Sequence, residues 1–320
     1  MAKTPDILVA VDLTHCPDAL EPLRRAGRVE YIAHPEQDQI EAIIAGFDAY
    51  MGHTNVRVTE ALLAAAARLR VVCTCSTGTD HIDMDALKRR DLPLISLTTE
   101  HELLDTFTST AEMAWLLLQS CRRRLPHLQQ RAGRGEIGPD PAQPPAPQLS
   151  GKTLGIVGYG RLGKMVTEYG LAFRMRVLIC DPYKTVDRAG VEQVDFETLL
   201  RTCDVISLHV HLSDQTRHMI DRDALARMKR GVVIVNVARG DLICEEALLE
   251  ALSNGHVAAA GLDVVHDEWD ANLAARPLLT YARTHDNLIL TPHVAGGSLE
   301  SIVDARRFIA RKLAEFLGNP

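Results

Sequence analysis

Short apolar runs and helical apolar patterns alternate through the first hundred residues of the chain. DILVAVD (6–12), RVEYIAH (28–34), DAYMGH (48–53), LRVVCTC (69–75) and PLISLT (93–98) have the length and composition of strands, whereas QIEAIIAG, TEALLAAAARL and DMDALKRR between them repeat their apolar positions at helical spacing. Strands that alternate with helices predict a parallel sheet joined by right-handed crossovers. LLDTFTSTAEMAWLLLQSC (103–121) predicts a long helix starting near Ser109. Residues 133–151 hold five of the fifteen prolines and no apolar period, which predicts a surface connection. The alternation then restarts: KTLGIVG, MRVLICD, CDVISLHV, GVVIVNVA, VAAAGLDVV and NLILTP read as strands, with helices such as EEALLEALSNG between them. The last stretch, from Ser298, predicts one amphipathic helix with Ile302, Val303, Phe308, Ile309, Leu313, Phe316 and Leu317 along its apolar stripe.

A chain of 320 residues is long for one core, so two domains with a cleft between them are expected. The net charge of -7 argues against a nucleic-acid or anionic-membrane surface and towards a small-molecule partner. The start, MAKTPDILVAVD, lacks the apolar core of a signal peptide, and no apolar run has the length of a bilayer span, so the expected location is cytoplasmic. Seven cysteines, among them Cys73, Cys75, Cys180 and Cys203, sit in apolar surroundings without CxxC pairs. They are read as reduced thiols that fill space, and no metal site is expected.

The stretch LGIVGYGRLG (154–163) places three glycines within six positions. Glycine spacing alone is a weak sign, but here it follows an apolar strand and leads into a helical run. Gly158 would make the tight turn, Gly160 would let a pyrophosphate approach, and Gly163 would let helix and strand pack closely. The free N–H groups of the helix start would face the phosphates. Asp181, at the end of the next strand and eighteen residues beyond Gly163, stands where a carboxylate would accept the ribose hydroxyls and repel a 2'-phosphate. The cofactor expected is therefore NAD. Arg161 lies inside the turn, to touch a phosphate or to remain solvated.

Ligands in open parallel sheets sit beyond the carboxyl ends of the strands. Arg239 follows one strand, Glu268 lies a few residues past a second, and His293 follows a third. Hydride transfer from a 2-hydroxy acid needs these parts: a planar fork to hold the carboxylate and polarise the carbonyl, a group titrating near neutrality to move the hydroxyl proton, and a carboxylate to orient it. Those roles are assigned to Arg239, His293 and Glu268.

With these motifs in place the chain resembles the D-isomer-specific 2-hydroxyacid dehydrogenase family over nearly its whole length. LSGKTLGIVGYGRLG is similar to that family's cofactor turn, VNVARGDLICEEAL to its arginine segment, AGLDVVHDEW to its glutamate segment and NLILTPHVAGGS to its histidine segment, with STGTDHIDMDAL and STAEMAWLLL as further matches. The resemblance implies an α/β fold in which a Rossmann NAD-binding domain (103–295) is inserted in a flavodoxin-like substrate-binding domain (1–102 and 296–320). It also implies a homodimer. By the same mapping Ser76, Thr77 and Gly78 bind the substrate carboxylate together with Arg239, and Thr110 and Asp263 lie near the nicotinamide. Leu162, His209 and Ala238 complete the expected cofactor contacts.

The sequence departs from phosphoglycerate-oxidising relatives in MGHTNVRVTE, where His53, Thr54 and Asn55 stand in place of an arginine-rich pattern, and His211 stands where proline is more usual in the family. An unphosphorylated acid is therefore expected, with Arg57, Arg306 and Arg307 as the other cations that could hold a phosphate. A non-catalytic NAD-sensing regulator of corepressor type is the competing reading. Phosphoglycerate or phosphite oxidation, or homocysteine hydrolysis, on the same architecture is the third.

Overall fold

The computed structural model describes residues 4–142 and 145–318. The first residues of the amino-terminal stretch, residues 143 and 144 of the proline-rich connection, and residues 319–320 lie outside the described residues. The chain forms two units, Met1–Phe107 with Gly297–Pro320, and Thr108–Gly296.

The first unit runs β1 (Asp6–Ala10), α1 (Leu20–Ala26), β2 (Arg28–Tyr31), α2 (Gln37–Ile43), β3 (Ala49–Gly52), α3 (Glu60–Ala65), β4 (Val71–Thr74), α4 (Met84–Arg89), β5 (Leu94–Ile95) and α5 (His101–Asp105). Its five strands are parallel in the order β2-β1-β3-β4-β5, the flavodoxin-like arrangement. β1, β3 and β4 are buried along almost their whole length because helices cover both faces, which is why they read as unbroken apolar runs. Thr59 and Asp83 cap α3 and α4 by accepting the backbone N–H three residues on. Leu103, Leu104 and Phe107 pack into the core of this unit. That packing carries the unit to Phe107, beyond the break at residue 102 that the resemblance implied.

The second unit holds α6 (Ser109–Arg123), α7 (Leu125–Gly133), β6 (Thr153–Val157), α8 (Arg161–Ala172), β7 (Arg176–Cys180), β8 (Val191–Gln193), α9 (Phe196–Thr202), β9 (Val205–Leu208), α10 (Arg222–Arg227), β10 (Val232–Asn236), α11 (Glu245–Ser253), β11 (Val257–Leu262), α12 (Pro277–Thr284) and β12 (Leu288–Leu290). Its seven strands are parallel in the order β12-β11-β10-β9-β6-β7-β8, so the topological switch falls between β6 and β9. The cofactor turn lies just past the carboxyl end of β6.

The last helix, α13 (Leu299–Gly318), returns to the first unit and packs along α1. Ile309, Ala310 and Leu313 are wholly buried there, and burial of each large apolar side chain stabilises that docking by roughly 1.5–3 kcal/mol. Cys16, Cys73, Cys75, Cys121 and Cys203 are buried free thiols, while Cys180 and Cys244 are half-buried. Burial pushes the thiols of Cys75, Cys121 and Cys203 up to about 12. Among the described residues no group of His, Cys, Asp and Glu is arranged to hold a metal ion, and no helix is long and apolar enough to cross a membrane.

Candidate active site

The cofactor turn is built by its glycines. Gly158 has φ +93°, and a Cβ there would lie 2.6 Å from the His209 carbonyl oxygen. At Gly163 a Cβ would lie 2.1 Å from the Gly158 carbonyl oxygen, so α8 can approach β6 only without a side chain. Around Gly160, by contrast, a Cβ would meet nothing within 4 Å, which leaves the face of the turn open for a pyrophosphate. Gly160 is the residue before α8, and the free N–H groups of the first helical turn follow it. Leu162 spends its side chain on the core of this unit and offers the turn only its backbone.

Asp181 is 9% exposed and lies against the turn, with one carboxylate oxygen accepting from the Tyr159 N–H at 2.8 Å and the other from the Tyr183 N–H at 2.9 Å. These bonds hold the carboxylate beside the glycines, where an adenosine ribose would sit. The turn, the helix start and the acid together fit a dinucleotide.

His209 follows β9, across the switch point from the turn. Its Nε2 shares a hydrogen bond of 2.9 Å with Ser207 Oγ, and its Nδ1 is buried without a partner among the described residues. Burial lowers its pKa to about 4, so the ring is neutral near pH 7.

Three strand ends bring the predicted catalytic residues together. His293 has a left-handed backbone, φ +52°, fixed by bonds from its N–H to the carbonyls of Asp263 (2.9 Å) and Thr291 (3.0 Å). Its Nδ1 meets Glu268 Oε2 at 2.5 Å, while Glu268 Oε1 accepts from the Val265 N–H at 3.1 Å. Because Nδ1 is committed to Glu268, Nε2 is the nitrogen left to face a substrate. The hydrogen bond to Glu268 is the largest cause of a raised His293 pKa; burial opposes it, the charges of Glu268 and Asp263 add to it, and the Arg239 charge opposes it. Arg239 is therefore near enough to act on the same ring. The Arg239 Nη1 donates to the Ala238 carbonyl at 2.7 Å.

The structure also gives work to Asn236 and Gly240, which the sequence reading passed over, and a bracing role to Asp263. Asn236, buried at the end of β10, donates from Nδ2 to the Arg239 carbonyl at 2.7 Å and accepts the Ala238 N–H at 3.0 Å, so it shapes the arginine loop. Ala238 thus has its N–H already taken. Gly240 is indispensable for a different reason: a Cβ there would lie 2.0 Å from the Val265 carbonyl carbon, which allows the arginine loop to touch the segment leading to Glu268. Asp263 is 1% exposed and accepts from Thr291 Oγ1 (2.5 Å), the Val294 N–H (3.1 Å) and the Ala295 N–H (2.8 Å), bracing the histidine loop. An asparagine ending the apolar run VVIVN and a glycine directly behind the arginine were the available sequence signals. Thr110 lies in the first turn of α6, close to Gly296.

In the first unit, Ser76, Thr77 and Gly78 form the turn after β4. Ser76 Oγ donates to the Gly78 carbonyl at 2.7 Å, and Thr98 Oγ1 donates to the Thr77 carbonyl at 3.1 Å. The carbonyls are thereby occupied, whereas the N–H groups of Thr77 and Gly78 have no acceptor among the described residues. A turn that presents free N–H groups is suited to a carboxylate.

Fold and site together define an α/β dehydrogenase with a dinucleotide turn and a histidine–carboxylate pair. Residues 114–295 match the family described as "D-isomer specific 2-hydroxyacid dehydrogenase, NAD binding domain". A hydroxypyruvate reductase from Thermotoga maritima is 34% identical over 88% of this chain and 87% of its own length. A D-3-phosphoglycerate dehydrogenase from Methanocaldococcus jannaschii is 33% identical over 94% of this chain, which spans 55% of that protein's length. Among solved structures, a D-lactate dehydrogenase from Aquifex aeolicus complexed with NAD and lactic acid superposes with a TM-score of 0.83, at 28% identity, covering 97% of this chain and 94% of that one. The chain belongs to the D-isomer-specific 2-hydroxyacid dehydrogenase family, and its cofactor is NAD.

Proposed function

We propose that this enzyme reduces a small, unphosphorylated 2-keto acid, such as hydroxypyruvate, glyoxylate or pyruvate, to the D-2-hydroxy acid. The observation that carries this reading is the His293–Glu268 pair at 2.5 Å with Arg239 acting on the same ring. When bound, NADH supplies the hydride. His293 Nε2 gives the proton to the carbonyl oxygen, and in the reverse direction takes it from the hydroxyl. Glu268 keeps the ring oriented and favours its charged form. Arg239 holds the carboxylate and polarises the carbonyl. Gly158, Gly160, Gly163 and Asp181 hold the dinucleotide, with Arg161, Leu162, Thr110, His209, Ala238 and Asp263 as its further neighbours.

The loop after β3 supports an unphosphorylated substrate. His53 Nδ1 and Thr54 Oγ1 are hydrogen-bonded at 3.1 Å, and Asn55 donates to the Pro35 carbonyl at 2.9 Å. No permanent cation stands among these three residues themselves, so a phosphate there would have to rely on Arg306, which lines a cavity with His53 and Asn55 beside the carboxylates of Asp12 and Glu36. The test compares hydroxypyruvate with 3-phosphohydroxypyruvate at fixed NADH and matched ionic strength. A higher kcat/KM for hydroxypyruvate is expected, and a clear preference for the phosphorylated acid would overturn the reading. Absence of turnover across all keto acids would favour the regulator instead.

The homodimer is also a proposal. Leu116 on α6 and Leu125 and Leu128 on α7 are 53%, 48% and 43% exposed, an apolar face that a second copy would cover.

A further inference from the structure

The arginine loop and the glutamate segment meet at a second histidine–carboxylate pair. At Gly240 the backbone of the loop presses against Val265 and His266. One residue on, His266 Nδ1 is hydrogen-bonded to Asp241 Oδ1, and Arg217 donates from Nη1 to Asp241 Oδ2. The Asp241 carbonyl accepts the His218 N–H at 2.7 Å. Arg217 and His218 belong to the stretch after β9, Asp241 to the stretch after β10 and His266 to the stretch after β11, and these three strands are neighbours in the sheet. One aspartate therefore ties three strand ends together. His266 is fixed through its backbone as well. Its N–H donates to Glu245 Oε1 at 2.7 Å, its carbonyl accepts from Arg276, and Arg276 Nη2 donates to Glu245 Oε2 at 2.8 Å. The Asp241 side chain is 15% exposed, but those of His266 and Arg217 are each 49% exposed. Ion pairs so open to water contribute little to stability, so what this pair does lies in the geometry it fixes.

We infer that Asp241 and His266 are positioning residues, which set where the Arg239 guanidinium stands relative to the His293–Glu268 pair. The inference rests on the roles proposed above for Arg239, Glu268 and His293. Asp241 stands two residues beyond Arg239, and His266 two residues before Glu268. The pairing of β10 with β11 ends at Asn236 and Leu262, three residues short of Arg239 and six short of Glu268. Past that point the relative position of the two functional side chains depends on contacts between the loops, and the Asp241–His266 bond is a side-chain link between them. A misplacement of about 1 Å in such a constellation can cost roughly a hundredfold in rate. Glu245 and Arg276 hold the His266 backbone whether or not its ring is bonded to Asp241. Loss of the ring therefore frees the arginine loop without releasing the glutamate segment.

The test titrates oxamate, an unreactive amide analogue of a 2-keto acid, calorimetrically into the full chain saturated with NADH, alongside kcat and KM for hydroxypyruvate. H266A and D241A should each weaken oxamate binding and raise the hydroxypyruvate KM about tenfold, with the NADH KM within about twofold of wild type and Tm little changed. Because the two side chains act as one link, D241A combined with H266A should lose no more than either alone. H266N, whose amide can donate from close to the Nδ1 position, should recover most of the loss, a rescue that a merely space-filling ring would not show. Should D241A fail to fold, H266A and H266N decide the matter, since the His266 ring is half exposed. Unchanged oxamate binding and KM in H266A, losses that add in the double variant, or no rescue by H266N would overturn the inference. R239Q separates this inference from the reading it rests on. If R239Q loses oxamate while H266A keeps it, the positioning role alone falls; if R239Q binds oxamate as wild type does, both fall.

Discussion

At His293 the proton and the carboxylate partner are coupled, and the coupling has a direction. Because the Glu268 hydrogen bond raises the His293 pKa, the protonated ring persists to higher pH than it would alone. Reduction of a keto acid, which needs that proton, should therefore fall as pH rises through the raised value. In E268Q the fall should come at lower pH, and oxidation of the hydroxy acid should switch on at lower pH; superimposable kcat/KM profiles for E268Q and wild type would count against the pair. His209 makes a second pH prediction, this time on stability. Its folded pKa of about 4 lies below the ordinary value of 6.5, so the unfolded chain binds the proton more tightly. Stability present above pH 6.5 is then lost as pH falls towards 4, by at most about 3 kcal/mol. Urea unfolding at pH 7 and pH 4.5 should show a smaller loss in H209Q than in wild type, and equal losses would remove His209 as the cause.

Among the elements, β7 and the cofactor turn are tied through Asp181, so this residue answers for both cofactor choice and local structure. Wild type should prefer NADH to NADPH, and D181A should weaken that preference by removing the charge opposed to a 2'-phosphate. The variant should also melt lower, since the Tyr159 and Tyr183 N–H groups lose their acceptor at roughly 1 kcal/mol each. A wild type that prefers NADPH, from the ratio of kcat/KM values, would contradict the reading of this strand end. Elements of this kind were readable in advance because buried parallel strands announce themselves as apolar runs, as in VVIVN and DILVA. Less legible were α1, α7 and β8: β8 is three residues long and mostly exposed, and LPHLQQRAG in α7 keeps only Arg131 buried, so neither carries a full apolar period. Arg239, Glu268 and His293 could be named as ends of strands, but Asn236, Gly240 and the bracing by Asp263 depend on which loops touch. The apolar stripe of α13 was legible too, and Arg306 was named as a cation, but its burial within that stripe is invisible to a hydrophobic pattern.

For the whole molecule, the pattern of two restarting α/β series gave the two units, while the proposed homodimer would cover the exposed leucines of α6 and α7. Light scattering should give about twice the chain mass of 35.2 kDa, and L125E combined with L128E should shift it towards the monomer. A monomeric wild type would remove the proposed interface. What the enzyme does rests finally on the proton carried by His293. The most direct measurement is kcat for NADH-dependent reduction of hydroxypyruvate by wild type and H293A, with chiral analysis of the product. The account predicts the D-2-hydroxy acid from wild type, with kcat in H293A lower by roughly a hundredfold or more and NADH affinity little changed. Near-normal turnover in H293A, or no turnover of any keto acid by wild type, would contradict it.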